Sequence, residues 1–175
     1  MDALIVIDMQ RDFVDPDGAL YFAGAEKVVA PAIDVIKNSM ERSEIVITTQ
    51  DWHEANDEEF KMWPSHCIKN TPGAELIAPL RELLQNYPKY YPVYKTRYSA
   101  FYGTELDRIL KNFSIDKVQV CGVVTHICVL FTVEELRNRN IKVEVYEKAT
   151  ASYDREFHEF ALRMMKEVLG AEVIL

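Results

Sequence analysis

The 175-residue sequence predicts an α/β fold: a three-layer α/β/α sandwich around a mostly parallel sheet of about six strands. Three observations carry this. Short β-rich runs alternate with stretches of helical length, and several runs are nearly unbroken in Val and Ile, as strands buried on both faces are. Strict alternation implies right-handed βαβ crossovers. The chain also holds one long irregular stretch, 50–72, where a compact domain concentrates function.

In order, strands are expected at 3–7, 44–49, 91–95, 117–122, 142–146 and 172–174. Residues 26–40, 74–86, 104–112, 127–138 and 156–169 have the length and spacing of helices between them. Gly170, just before the last strand, suits a helix C-terminus. No repeat, linker or low-complexity tract interrupts the pattern, so residues 1–175 read as a single domain.

Composition narrows the function. Hydrophobic residues make up 49% and charged residues 27%, which argues against disorder. The 20 basic residues are scattered among 28 acidic ones, for a net charge of −8. A nucleic-acid partner would require a concentrated basic face, so none is expected. The first apolar run ends at Asp8, too short for a signal peptide or for the roughly 20 residues of a membrane helix. Three cysteines without disulfide spacing suit a reducing compartment. The expectation is a cytoplasmic protein with no membrane partner.

In parallel sheets the active site lies beyond the carboxyl ends of the strands. Asp8 follows the first strand, Lys95 ends the third, and Cys128 sits in the turn after the fourth. Singly they read as a turn cap, a solvated lysine and a buried inert thiol. Together they make an acyl-transfer set. A carboxylate can take the thiol proton and return it to a leaving amine. A lysine and a helix N-terminus can stabilise the thiolate, and turn N–H groups can hold an oxyanion. In the long loop, Asp51 and His53 lie two apart and so project to one side of extended backbone, with Glu59 and His66 following. That donor set suits zinc, manganese or iron(II), although a polar surface loop with chance histidines has the same composition. Phe13 and Trp63 are aromatics that could clamp a planar ring or simply fill the core. Cys121 reads as core, and His158 as a surface or packing residue.

Asp8-Met-Gln-Arg-Asp-Phe13 with Gly18-Ala-Leu20, Asp51-Trp-His53, Trp63-Pro-Ser-His66-Cys67, Lys95-Thr-Arg-Tyr98-Ser-Ala-Phe101 and Gly122-Val-Val-Thr-His-Ile-Cys128 occur in this order. The series resembles the isochorismatase-like cysteine hydrolases, and its metal loop is similar to that of nicotinamidases. The resemblance implies a catalytic triad of Asp8, Lys95 and Cys128. It implies metal ligands Asp51, His53 and His66, with Glu59 as an additional one, on one divalent ion. Zinc is the first expectation, with manganese or iron as alternatives, and no organic cofactor. Phe13, Leu20, Trp63 and Tyr98 match ring-pocket positions. A cis bond between Val123 and Val124 is implied, with the Val124 and Cys128 N–H groups facing the oxyanion. The small-molecule partner would be nicotinamide, and a homo-oligomer is compatible with the pattern. Val124 is bulkier than the small residue expected there, and His126 has no assigned role. The alternatives are another small-amide hydrolase of the family, a non-catalytic metal or ligand binder, and a redox sensor using Cys128 and Cys67.

Overall fold

The computed structural model describes residues 1–175. Its centre is β1 (Asp2–Ile7), whose Ala3 to Ile7 are all fully buried. Each large aliphatic side chain buried there contributes about 1.5–3 kcal/mol. Alternate residues feed opposite faces: Ala3, Ile5 and Ile7 join one apolar cluster, Leu4 and Val6 the other. β2 (Ile45–Asp51), β3 (Tyr90–Lys95), β4 (Lys117–Val123), β5 (Lys142–Ala151) and β6 (Glu172–Ile174) complete the sheet. The order is β3-β2-β1-β4-β5-β6 and every neighbouring pair is parallel.

The helices divide between the faces. α1 (Arg11–Val14), α2 (Val29–Glu41) and α3 (Ala78–Leu84) contribute Phe13, Ile36 and Leu80 to the cluster that holds Leu4 and Val6. α4 (Leu106–Asn112), α5 (Leu130–Asn138) and α6 (Arg155–Arg163) contribute Leu110, Val133 and Leu162 to the other. The result is the three-layer sandwich expected.

Boundaries differ from the sequence reading where local chemistry intervenes. The stretch 74–86 is helical only over Ala78–Leu84, because Pro79 lacks an N–H and fits only a first turn. The stretch at 26–40 opens as a 3-10 turn, Ala25–Val28, before α2. β5 runs five residues past 146, across an irregularity in its pairing with β4: Val120 faces Val145 but Gly122 already faces Thr150. Gly170, at φ 67°, ends the last helical turn as anticipated. The sheet margins are β3, which carries the exposed Pro92, and the three-residue β6.

The chain leaves β1 towards β2 and β3 on one side, and later returns to place β4 on the other. At this reversal the connections after β1 and β4 diverge and leave a crevice at the strands' carboxyl ends.

Candidate active site

Asp8, the residue after β1, turns out of the strand at φ 48°, and its N–H donates to Thr49 O at 3.1 Å. Its Oδ1 accepts from the Thr49 hydroxyl, while Oδ2 lies 2.8 Å from Lys95 Nζ. Lys95 is fully buried rather than solvated. Its ammonium is surrounded by Asp8, Asp51, the Arg97 carbonyl at 3.1 Å and Cys128 Sγ at 3.5 Å. Cys128 belongs to a π-helical turn, Thr125–Val129, that opens α5. The structure thus brings the three strand-end residues into contact.

Burial and neighbouring charges shift the ionisation of each group. Burial raises the Asp8 carboxyl, more than Lys95 lowers it. Burial alone would raise Asp51 too, but Lys95 and the two imidazoles hold it well below the usual carboxylate range. Burial alone would lower Lys95, yet Asp51, Asp8 and Cys128 keep it above its ordinary value. Burial pushes the Cys128 thiol up; Lys95 pulls it down, while Asp8 and Asp51 push it further up. Burial thus favours the neutral thiol, and beside it stands the Asp8 carboxylate, its own basicity raised by burial.

The Val123–Val124 bond is cis, and the Val124 N–H, in a residue only 7% exposed, donates to no backbone acceptor. Gly122 precedes it at φ 113°, where a Cβ would lie 2.0 Å from Ile7 O. Only glycine lets β4 close against β1 at this point.

Asp51, His53, Glu59 and His66 converge so that one donor atom from each lies within 4.8 Å of all the others. Asp51 Oδ2 is 3.6 Å from both His53 Nε2 and His66 Nε2, and Glu59 Oε1 is 3.9 Å from His66 Nε2. Those separations are too wide for hydrogen bonds, and they are what four donors around one ion at about 2.0–2.2 Å leave between them. His53 Nε2 is buried without any hydrogen-bond partner, the mark of a lone pair kept for a cation. The residues fit a divalent metal with mixed N and O ligands. Asp51 is held by its backbone: Gln10 accepts from its N–H at 2.7 Å and donates to its carbonyl at 2.8 Å. Its two carboxylate oxygens face the lysine and the donor cluster respectively.

Thiol and donor cluster open into one pocket. Phe13, Leu20, Trp63 and Tyr98, the four expected ring neighbours, all line it with Cys128, Val124, Asp51, Glu59 and His66. Trp63 Nε1 donates to Tyr98 Oη at 3.1 Å, fixing both rings, and Phe13 packs 5.6 Å from His66. Sequence reasoning missed Phe22, Ile127 and Tyr153 on the wall, and Gln10, Thr49, Asp57 and Arg97 around it. Ile127 was legible as the neighbour of Cys128; the others are brought in only by the fold. Asp12, inside the first motif, accepts from the N–H groups of Cys67 and Ala19 at 2.7 and 3.1 Å and so ties the metal loop to the segment carrying Leu20. His126 bonds Ser152 and Tyr153, and His158 bonds Thr125 at 2.9 Å, a packing role. Cys121 is core, its thiol pushed up to about 12 by burial. All three thiols are free, and Cys67 packs in a different apolar cluster from Cys128.

Comparison with known proteins shows the fold and the family. The chain is 35% identical over 178 residues to the isochorismatase family protein PncA of Bacillus subtilis, covering 98% of this chain and 97% of the relative. The crystal structure of a pyrazinamidase/nicotinamidase from Streptococcus mutans superposes with a TM-score of 0.94 at 35% identity, covering 99% of this chain and 100% of that one. A pyrazinamidase of Pyrococcus horikoshii in complex with zinc gives 0.89 at 33% identity, covering 99% and 98%. The isochorismatase domain model matches residues 2–175, and the chain belongs to that family.

Proposed function

We propose that this protein is a nicotinamidase, an amidohydrolase that converts nicotinamide to nicotinate and ammonia through a thioester on Cys128. The observation that carries the reading is one pocket lined at once by a buried thiol and by three of the four donors of a metal cluster. A thiol with its base and lysine suits amide cleavage in general. The cluster selects an amide that carries its own ligand atom, such as a pyridine nitrogen. Relatives with nicotinamidase and pyrazinamidase activity in their names support it.

In this mechanism Asp8 accepts the Cys128 proton as sulfur bonds to the amide carbon, and Lys95 balances the charge that develops between them. The N–H groups of Val124 and Cys128 receive the oxyanion. As it collapses, the C–N bond breaks and Asp8 returns the proton to the departing nitrogen, releasing ammonia. Water then gives a proton to Asp8 while its oxygen attacks the thioester; the C–S bond breaks and sulfur regains its proton from Asp8. Asp51, His53, Glu59 and His66 would hold the divalent ion, zinc in our reading, which supplies a Lewis-acid contact for the ring nitrogen and orients the ring. No organic cofactor enters these steps. A cytoplasmic place in pyridine-nucleotide salvage belongs to the same proposal; no helix is long and apolar enough to cross a membrane.

The test is ammonia release by the purified, Zn²⁺-loaded protein from nicotinamide and from benzamide, which has the same amide and no ring nitrogen. Rapid turnover of nicotinamide with much slower turnover of benzamide is expected. Equal rates would remove the metal-orientation argument, and no release from either would remove the amidase.

A further inference from the structure

Among the four donors, His53 is held in an unusual way. Its Nε2 is the unpartnered buried atom, and its Nδ1 lies 3.0 Å from Asp57 Oδ2. Asp57 is not itself one of the four donors, and its side chain is only 9% exposed. Its other oxygen, Oδ1, accepts from the Glu59 N–H at 2.9 Å and so caps the 3-10 turn Glu58–Lys61 that carries Glu59 inward. One carboxylate therefore touches one donor residue by its ring and another by its backbone.

Asp57 is fixed in turn by Arg97, whose Nη1 lies 3.0 Å from Oδ1 and 3.3 Å from Oδ2. The carbonyl of that same Arg97 accepts from Lys95 Nζ at 3.1 Å. The connection runs from the buried lysine through Arg97 and Asp57 to both His53 and Glu59.

We infer that Asp57 is a positioning residue for the metal site, anchored by Arg97. As a carboxylate it can only accept from Nδ1–H, so it selects the tautomer whose Nε2 lone pair faces the other donors. This inference rests on the metal reading above and deepens it. It also accounts for a carboxylate that the loop's acidic composition alone would assign to solvent: Asp57 orients two ligands and binds no ion itself.

The test is Zn²⁺ affinity, measured by competition with a chromophoric chelator, in wild type, Asp57→Asn and Arg97→Met. Asparagine keeps the shape, and its oxygen can still cap the Glu59 N–H. Its amide group, however, offers Nδ1 a donor and favours the proton on Nε2, pointing into the site. Asp57→Asn is expected to weaken Zn²⁺ binding 10–100-fold, the usual range for losing a partner of a metal-bound histidine. Arg97→Met, which leaves Asp57 in place but unanchored, should weaken it less. Excess Zn²⁺ should restore most of the nicotinamide turnover of Asp57→Asn, and Co²⁺ in its place should show shifted visible bands; a role confined to folding would produce neither. The thermal midpoint in chelator identifies any variant that fails to fold, and Arg97→Met then decides by the same measurement. If both variants bind Zn²⁺ within about twofold of wild type, the inference falls while the metal reading stands. A wild type that binds no Zn²⁺ would overturn both.

Discussion

At Cys128 the chemistry requires a proton acceptor in contact with a thiol whose ionisation burial disfavours. Asp8 is the only group so placed whose own carboxyl is raised. Cys128→Ala should leave below about one part in a thousand of wild-type turnover, since the covalent route disappears. Asp8→Asn preserves shape and the Thr49 contact but accepts no proton, and should lose about 10²–10⁴-fold in kcat. Near-normal turnover in that variant, with only a lower melting temperature, would return Asp8 to a turn-capping role. Asp8 and Lys95 were legible in the sequence because each terminates or follows a strand, where the fold class itself predicts a site. Asp57 was not. It sits in an acidic run with Glu54, Glu58 and Glu59, and only the tertiary approach of Arg97 and His53 distinguishes it from its neighbours. The same holds for Gln10, whose clamp on Asp51 spans 41 residues of sequence.

Elements were readable where the apolar period was clean and less so where the chain kinks. β1, β2 and β4 are almost wholly buried, so their Val and Ile runs announce them. Glu147 and Lys148 interrupt the apolar run of β5, so the sequence pattern ends at 146, yet the strand continues through them to Ala151, its pairing with β4 resuming at Thr150. The π turn before α5 was invisible, since its residues are as helical in pattern as those that follow. Gly122 offers the sharpest test at this scale. Gly122→Ala puts a Cβ against Ile7 O at a φ of 113°, so β4 must move from β1 next to the residues, Asp8 and Val124, that follow the two strands. A loss of at least about 1–3 kcal/mol is expected in urea unfolding, with turnover lost more than proportionally. An alanine variant with an unchanged urea midpoint would show that the close approach is not required.

For the molecule as a whole, the donor cluster is preformed by the fold and absent from the unfolded chain, so the ion that binds it stabilises the folded state. At a free Zn²⁺ concentration 100 times Kd the gain is about 2.7 kcal/mol, and a chelator should lower Tm by about 5–10 °C. A midpoint insensitive to chelator would mean that the four residues hold no ion. A different property follows from the sheet margins. Proline at position 92 removes a donor from the outer row of β3, and β6 is too short to template a long partner strand. Strand-by-strand growth is therefore blocked at both ends, which protects a protein of this β content from amyloid-like stacking even when crowded. Copies of the chain are thus discouraged from joining their sheets edge to edge.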